Sequence, residues 1–210
     1  MYPETIQKQL DAANCYADIL NEAHVRIQII NALVTNGLGL PPPIVREFCF
    51  LELRMLCELI ALGCLVAHGG ISAVAAAKIE KEYAADRIMH QLEGLHLNFY
   101  PHAVSMTFNP GHMHFDRVES GFLTRQELKE LYRKCGDALH RGTLKKLKLW
   151  NDKTDPNYQD IIGWTRRIIN LLEQHHIASF DNLSHFICVL SSADHENRAI
   201  VSIAQSPLPH

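Results

Sequence analysis

The sequence predicts a mainly α protein: a helical bundle of about five helices with two small β-hairpins, one inserted near 102–118 and one C-terminal near 185–204. Three observations predict it. Apolar residues recur at steps of three and four over long stretches. Residues that start and stop helices stand at the ends of those stretches. Only two places switch to short apolar runs around turn residues. With 210 residues, of which 47% are hydrophobic, the chain can bury a full core. No linker or repeat divides it, so it reads as a single helical domain, 1–210, with the 185–204 hairpin as an appendage within it.

The first helix, 3–35, opens on Pro3, which a first turn accepts. Ile6, Leu10, Ala13, Ala17, Leu20, His24 and Ile27 follow in a 4-3-4-3-4-3 rhythm, a narrow amphipathic seam ended by Asn36-Gly37. His24 in that seam reads as a partly buried histidine with one hydrogen bond rather than as a ligand. Leu38 to Pro43 is a stiff connector, because each proline disfavours helix in the residue before it. From Ile44 to His68 the chain is apolar nearly all round, as the central helix of a bundle would be, and Gly69-Gly70 ends it. Ile71 to Leu92 is an Ala-rich third helix.

Two short strands, His102–Phe108 and His112–Val118, then flank Asn109-Pro110-Gly111. The helix 124–141 is signed at both ends: Thr124 with Glu127 forms a capping box, and Gly142 is a left-handed stop. Asp155-Pro156 begins another helix as N-cap and first residue, running to His176 with Ile161, Thr165, Ile168 and Leu172 on one side. Phe186–Leu190 and Ala199–Ile203 form the last hairpin around a polar loop.

A net charge of −3 argues against a dedicated, strongly basic nucleic-acid binder while leaving room for a local basic patch. Cys15, Cys49, Cys57, Cys64, Cys135 and Cys188 form no CxxC pair and sit in apolar segments, which points to a reduced, cytoplasmic setting. The longest apolar run, Leu51–Ala67, contains Glu52, Arg54 and Glu58, so no membrane span is expected. Phosphate-binding glycine loops, GxSxG, HExxH and paired zinc knuckles are all missing, and no cofactor is expected.

Four constellations carry chemistry. Arg133 and His140 are seven residues apart on one helix, about 20° short of two turns, so both project from one side about 10 Å apart along the axis. There Arg133 can stabilise phosphate charge while His140 exchanges a proton near a ribose 2′-OH. Arg133 can equally pair with Asp137 at i+4. Arg54 and Glu58 are an i,i+4 pair on the most apolar helix, with Tyr132 a third member of an internal polar clamp and Asp137 grouped in the same polar cluster. His112, His114 and Asp116 alternate along one strand and could face one metal ion. Arg141, Lys145, Lys146 and Lys148 form a basic cluster beside His140, with Trp150 available for base stacking. His175 and His176, adjacent on a helix, diverge too far to chelate together.

The Arg133-x6-His140 spacing, near the end of a helix in a mainly helical chain, resembles the signature of HEPN (higher eukaryotes and prokaryotes nucleotide-binding) domains. The resemblance spans helices 44–68, 71–92, 124–141 and 156–176. It implies a bundle of four or five helices and a homodimer in which Arg133 and His140 meet their symmetry mates in a cleft. It further implies RNA binding or metal-independent ribonuclease activity in phage defence or toxin–antitoxin systems, with RNA and a small antitoxin-like protein as partners. Two other readings stand beside it: a non-catalytic helical scaffold, and a metal-binding protein using His112, His114 and Asp116.

Overall fold

Helix α1 (Glu4–Asn36) and helix α2 (Pro42–Ala67) form an antiparallel pair whose shared seam begins the core. The computed structural model describes residues 4–68, 84–109, 112–140, 157–179 and 184–205. The buried face of α1 is Ala13, Tyr16, Leu20, Ala23, Ile27, Ile30 and Leu33. It shares Ala13, Leu20 and Ile27 with the expected seam but turns elsewhere toward Tyr16 and Ala23. Ala17 and His24 therefore lie at its edge and Leu10 is exposed, because the large Tyr16 ring takes the inward position that Ala17 would have had. The His24 ring bonds the Gln28 amide at 2.7 Å near the surface.

After Asn36 the chain turns through a 3-10 segment, Gly37–Gly39, in which Gly37 and Gly39 have φ of +64° and +73°. Glycine adopts that left-handed backbone without a Cβ penalty. Pro42 then occupies the first turn of α2, which contacts α1 and three further helices: α3 (Ala85–Leu95), α4 (Arg125–Leu139) and α5 (Gln159–Leu172). The expected stop at Gly69-Gly70 and the start of the 71–92 helix lie outside the described residues. Helix α4 carries the capping box complete. Thr124 Oγ1 accepts from the Glu127 amide at 3.3 Å, and Glu127 Oε2 accepts from the Thr124 amide at 2.9 Å.

The fold class expected from the sequence is corrected here. The strands do not form two small hairpins on a bundle but one five-stranded antiparallel sheet. Its strands are β1 (His102–Asn109), β2 (His112–Arg117), β3 (Gln174–Ala178), β4 (Ser184–Ser192) and β5 (Arg198–Gln205), in the order β2-β1-β3-β4-β5. The element that joins the two hairpins is β3, read in the sequence as the tail of helix 156–176. Helix α5 stops at Leu172, and β3 pairs with β1 through His102↔His176 and with β4 from Gln174↔Val189 to Ala178↔His185. No glycine or proline separates α5 from β3, so nothing in the local sequence announces the change of period. The 185–204 pair is likewise no appendage: β4 and β5 lie against α1.

One face of the sheet packs on the helices. His175 and Ile177 of β3, with Phe186, Cys188 and Leu190 of β4, point inward and are buried. Val201 and Ile203 of β5 follow them in register. Alternate residues face the other way, where no described helix covers them.

Candidate functional site

Helix α4 holds Tyr132, Arg133 and Asp137 of the residues singled out in the sequence, with His140 just past its end, and two of its faces do different work. Its inner face is anchored on α2 by a closed triangle of two hydrogen bonds and an ion pair. Arg54 Nη2 donates to the Tyr132 hydroxyl at 2.6 Å, that hydroxyl donates to Glu58 Oε1 at 3.2 Å, and Arg54 Nε reaches the same carboxylate oxygen at 3.2 Å. The guanidinium carbon also lies 4.4 Å from the centre of the Tyr132 ring. Burial and the nearby Glu58 carboxylate push the Tyr132 hydroxyl above its usual range, so it remains a donor. Asp137 is not part of this clamp. Gly136 brings the α4 backbone close to Arg54, since a Cβ there would sit 3.8 Å from Nη1, an ordinary contact.

The outer face carries Arg133 and His140. Arg133 is exposed and its Nη1 pairs with Asp137 Oδ2 at 3.2 Å, both side chains 69% accessible. His140 is exposed and is the first residue past the helix. Its amide still donates to the Gly136 carbonyl at 3.0 Å and its φ of −80° stays near helical, so its Cβ follows the helical track. Its ψ of 119° then carries the chain away. The helix therefore ends before 141, because the expected stop, Gly142, is not needed once His140 has turned out of the spiral. Gly142 and the basic residues Arg141, Lys145, Lys146 and Lys148, with Trp150, lie outside the described residues.

His112, His114 and Asp116 share one face of the edge strand β2 and are exposed. Only His114 Nε2 and Asp116 Oδ1 approach each other, at 3.2 Å. No group of three His, Cys, Asp or Glu side chains among the described residues is placed to hold a metal ion.

All six cysteines are free, and five are buried. Burial drives the thiols of Cys49 and Cys135 up to about 11 and about 12, so neither offers a thiolate nucleophile near neutrality. No helix among the described residues is long and apolar enough to cross a membrane. A shallow recess between α4 and α5, lined by Glu127, Glu130, Asp160, Gly163, Trp164 and Arg167, is electrostatically closed. Glu127 pairs with Arg167, Glu130 with Lys134 and Asp160 with Arg46.

No protein-family model, curated protein or solved structure matches this chain.

Two groups of residues escaped the sequence reading. One is the buried pair Tyr16 and His175, 159 residues apart and joined at 2.9 Å. The other is a row of histidines across the open face of the sheet. His102 and His176 stack with ring centres 5.2 Å apart, and His176 and His185 follow at 5.8 Å. The signal was the alternation in β1 and β4, which puts His102 and His185 on the solvent side, but it needed β3 between them.

Proposed function

We propose that this chain binds RNA and cleaves it without a metal ion, through the outer face of α4 and as a homodimer. The observation that carries the reading is the division of labour on that helix. The Arg54–Tyr132–Glu58 triangle fixes the inner face, while Arg133 and His140 are presented to solvent from one helical track. His140 takes the proton of a ribose 2′-OH as the oxygen attacks phosphorus, and Arg133 stabilises the charge that grows on the phosphate. The 5′-oxygen leaves with a proton supplied by the second subunit's histidine, giving a 2′,3′-cyclic phosphate and a 5′-hydroxyl end. The pair between Arg133 and Asp137 is largely exposed to solvent and worth little, so a phosphate can replace the carboxylate at small cost. That same pair favours a second reading, a non-catalytic interaction protein in which Arg133 is already neutralised.

The test is incubation of the full chain with mixed single-stranded RNA in EDTA. Cleavage leaving cyclic phosphate ends is expected, slowed about a hundredfold or more by His140→Ala, with the melting temperature unchanged because the residue is exposed. Asp137→Ala is expected to tighten RNA binding by releasing Arg133. An inactive wild-type dimer that also fails to bind RNA would decide for the interaction protein.

A further inference from the structure

The open face of the sheet holds a cleft of about 450 Å³, lined by His102, Val104, Phe115, Arg117, His176, His185, Ile187 and Ala204. The size is that of a small-molecule site, and it lies on the side of the strands away from the helices. Register explains the lining. His102↔His176 and Val104↔Arg117 are direct cross-strand partners, as are His176↔Ile187 and His185↔Ala204. The four pairs together bring five strands into one concave wall.

The charge pattern of this wall is one-sided. Alternation places Met113, Phe115 and Arg117 of β2 on it, then His102, Val104 and Met106 of β1. Gln174, His176 and Ala178 of β3 follow, then His185, Ile187 and Val189 of β4 and Ile200, Ser202 and Ala204 of β5. None of these is a carboxylate, and Asp116 points to the opposite face. Among the described residues no carboxylate pairs with Arg117. Two copies laid face to face would bring two Arg117 guanidinium groups into one interface with no carboxylate from either wall to pair them, so the wall suits an anionic occupant better than itself. The His102–His176 stack and the Phe115 ring offer flat surfaces for an aromatic body.

We infer that this cleft binds a planar aromatic monocarboxylate, with its ring system against the His102–His176 stack and Phe115 and its carboxylate on the Arg117 guanidinium. The site is separate from α4, and the RNA reading can fail without touching it. The imidazoles give it a second property. Burial, the neighbouring rings and the charge of Arg117 hold His176 down to about 4, and burial and Arg117 lower His102. Among the described residues, the charges that bear on the His176 and His102 rings are Arg117 from β2 and, for His176, the neighbouring His102 and His185, each of which disfavours a further proton. A bound carboxylate reverses that balance and raises the imidazole pKa. Binding is then coupled to proton uptake and strengthens as pH falls from 8 to 5.5.

The probe is 2-naphthoate, titrated into the full chain by isothermal calorimetry at pH 6 in two buffers of different ionisation heat. Saturable one-to-one binding with net proton uptake is expected. Arg117→Ala should weaken it about tenfold or more, and so should replacing the probe by neutral 2-naphthylmethanol. His176→Phe should retain binding and lose most of the proton uptake. Equal affinity for the acid and the alcohol, or for wild type and Arg117→Ala with unchanged melting temperature, would overturn the inference. Decanoate binding as tightly as naphthoate would overturn the aromatic class. A dimer that Phe115→Asp converts to monomer, with no naphthoate bound by the wild type, would give the face to a second copy instead.

Discussion

His175 shows how a single side chain can tie the two layers of this protein together. Its Nδ1 lies 3.1 Å from the Leu172 carbonyl, which can only accept, so that nitrogen carries the proton. Nε2 is then the acceptor, and the Tyr16 hydroxyl of α1 donates to it at 2.9 Å. Full burial holds this imidazole neutral, with its pKa lowered from 6.5 to about 4, and raises the Tyr16 hydroxyl. Because the unfolded chain takes up a proton near 6.5 that the folded chain refuses until about 4, stability falls as pH drops through that window. Each such histidine contributes a slope of up to about 1.4 kcal/mol per pH unit. Urea midpoints between pH 7.5 and 5 should show this decline, and His175→Gln should flatten it by up to one proton. Tyr16→Phe leaves a buried acceptor without its donor and should cost about 1–3 kcal/mol at pH 7.5. A variant within a few tenths of wild type would mean the bond is not formed in solution. None of this was legible in the sequence, where Tyr16 stood beside the expected seam of α1 and His175 on an expected helix.

At the scale of elements, legibility followed the locality of the signal. The capping box of α4 is written in four consecutive residues, and the Arg54–Glu58 pair in an i,i+4 spacing on an apolar helix, so both could be read directly. Tyr132 could be joined to them because it lies on the apolar side of its own helix. What could not be read was β3, whose residues Gln174-His175-His176-Ile177-Ala178 have no marked β preference and no turn before them. Its strand conformation comes from the partners on either side. The α2–α4 clamp allows an ordering to be tested by chemical denaturation. Tyr132→Phe removes one corner of the triangle while the direct Arg54–Glu58 contact survives, so the expected cost is about 1 kcal/mol. Glu58→Ala removes the acceptor of the Tyr132 hydroxyl and the counter-charge of the partly buried Arg54 guanidinium, for about 2–3 kcal/mol. The reverse order would show that the tyrosine, not the carboxylate, holds α4 on α2.

For the whole molecule, the decisive difference from a helical bundle is that the sheet completes the core rather than decorating it. Phe186, Cys188 and Leu190 of β4 are buried within the same cluster as α1 and α5, and the Phe186 ring meets Tyr16 edge-on at 6.0 Å. The β5 strand lies along α1, where the Asn21 side chain accepts from the Ala199 amide at 2.9 Å. Ending the chain after Ala178 would expose β3 as an unpaired edge and uncover the inner wall that Tyr16 and His175 complete. At about 1.5–3 kcal/mol for each large apolar side chain fully withdrawn from water, and about half that for a half-buried one, the loss of Phe186 and Leu190 with the half-buried Val201 and Ile203 amounts to roughly 4–9 kcal/mol. That is comparable to the entire stability of an ordinary domain. A 1–178 chain is therefore expected to show no cooperative thermal transition by circular dichroism and to bind hydrophobic dye. An appendage would behave otherwise: its removal would leave a cooperative melt within a few degrees of the full chain, and the five-stranded sheet would then be no part of what makes the helices fold.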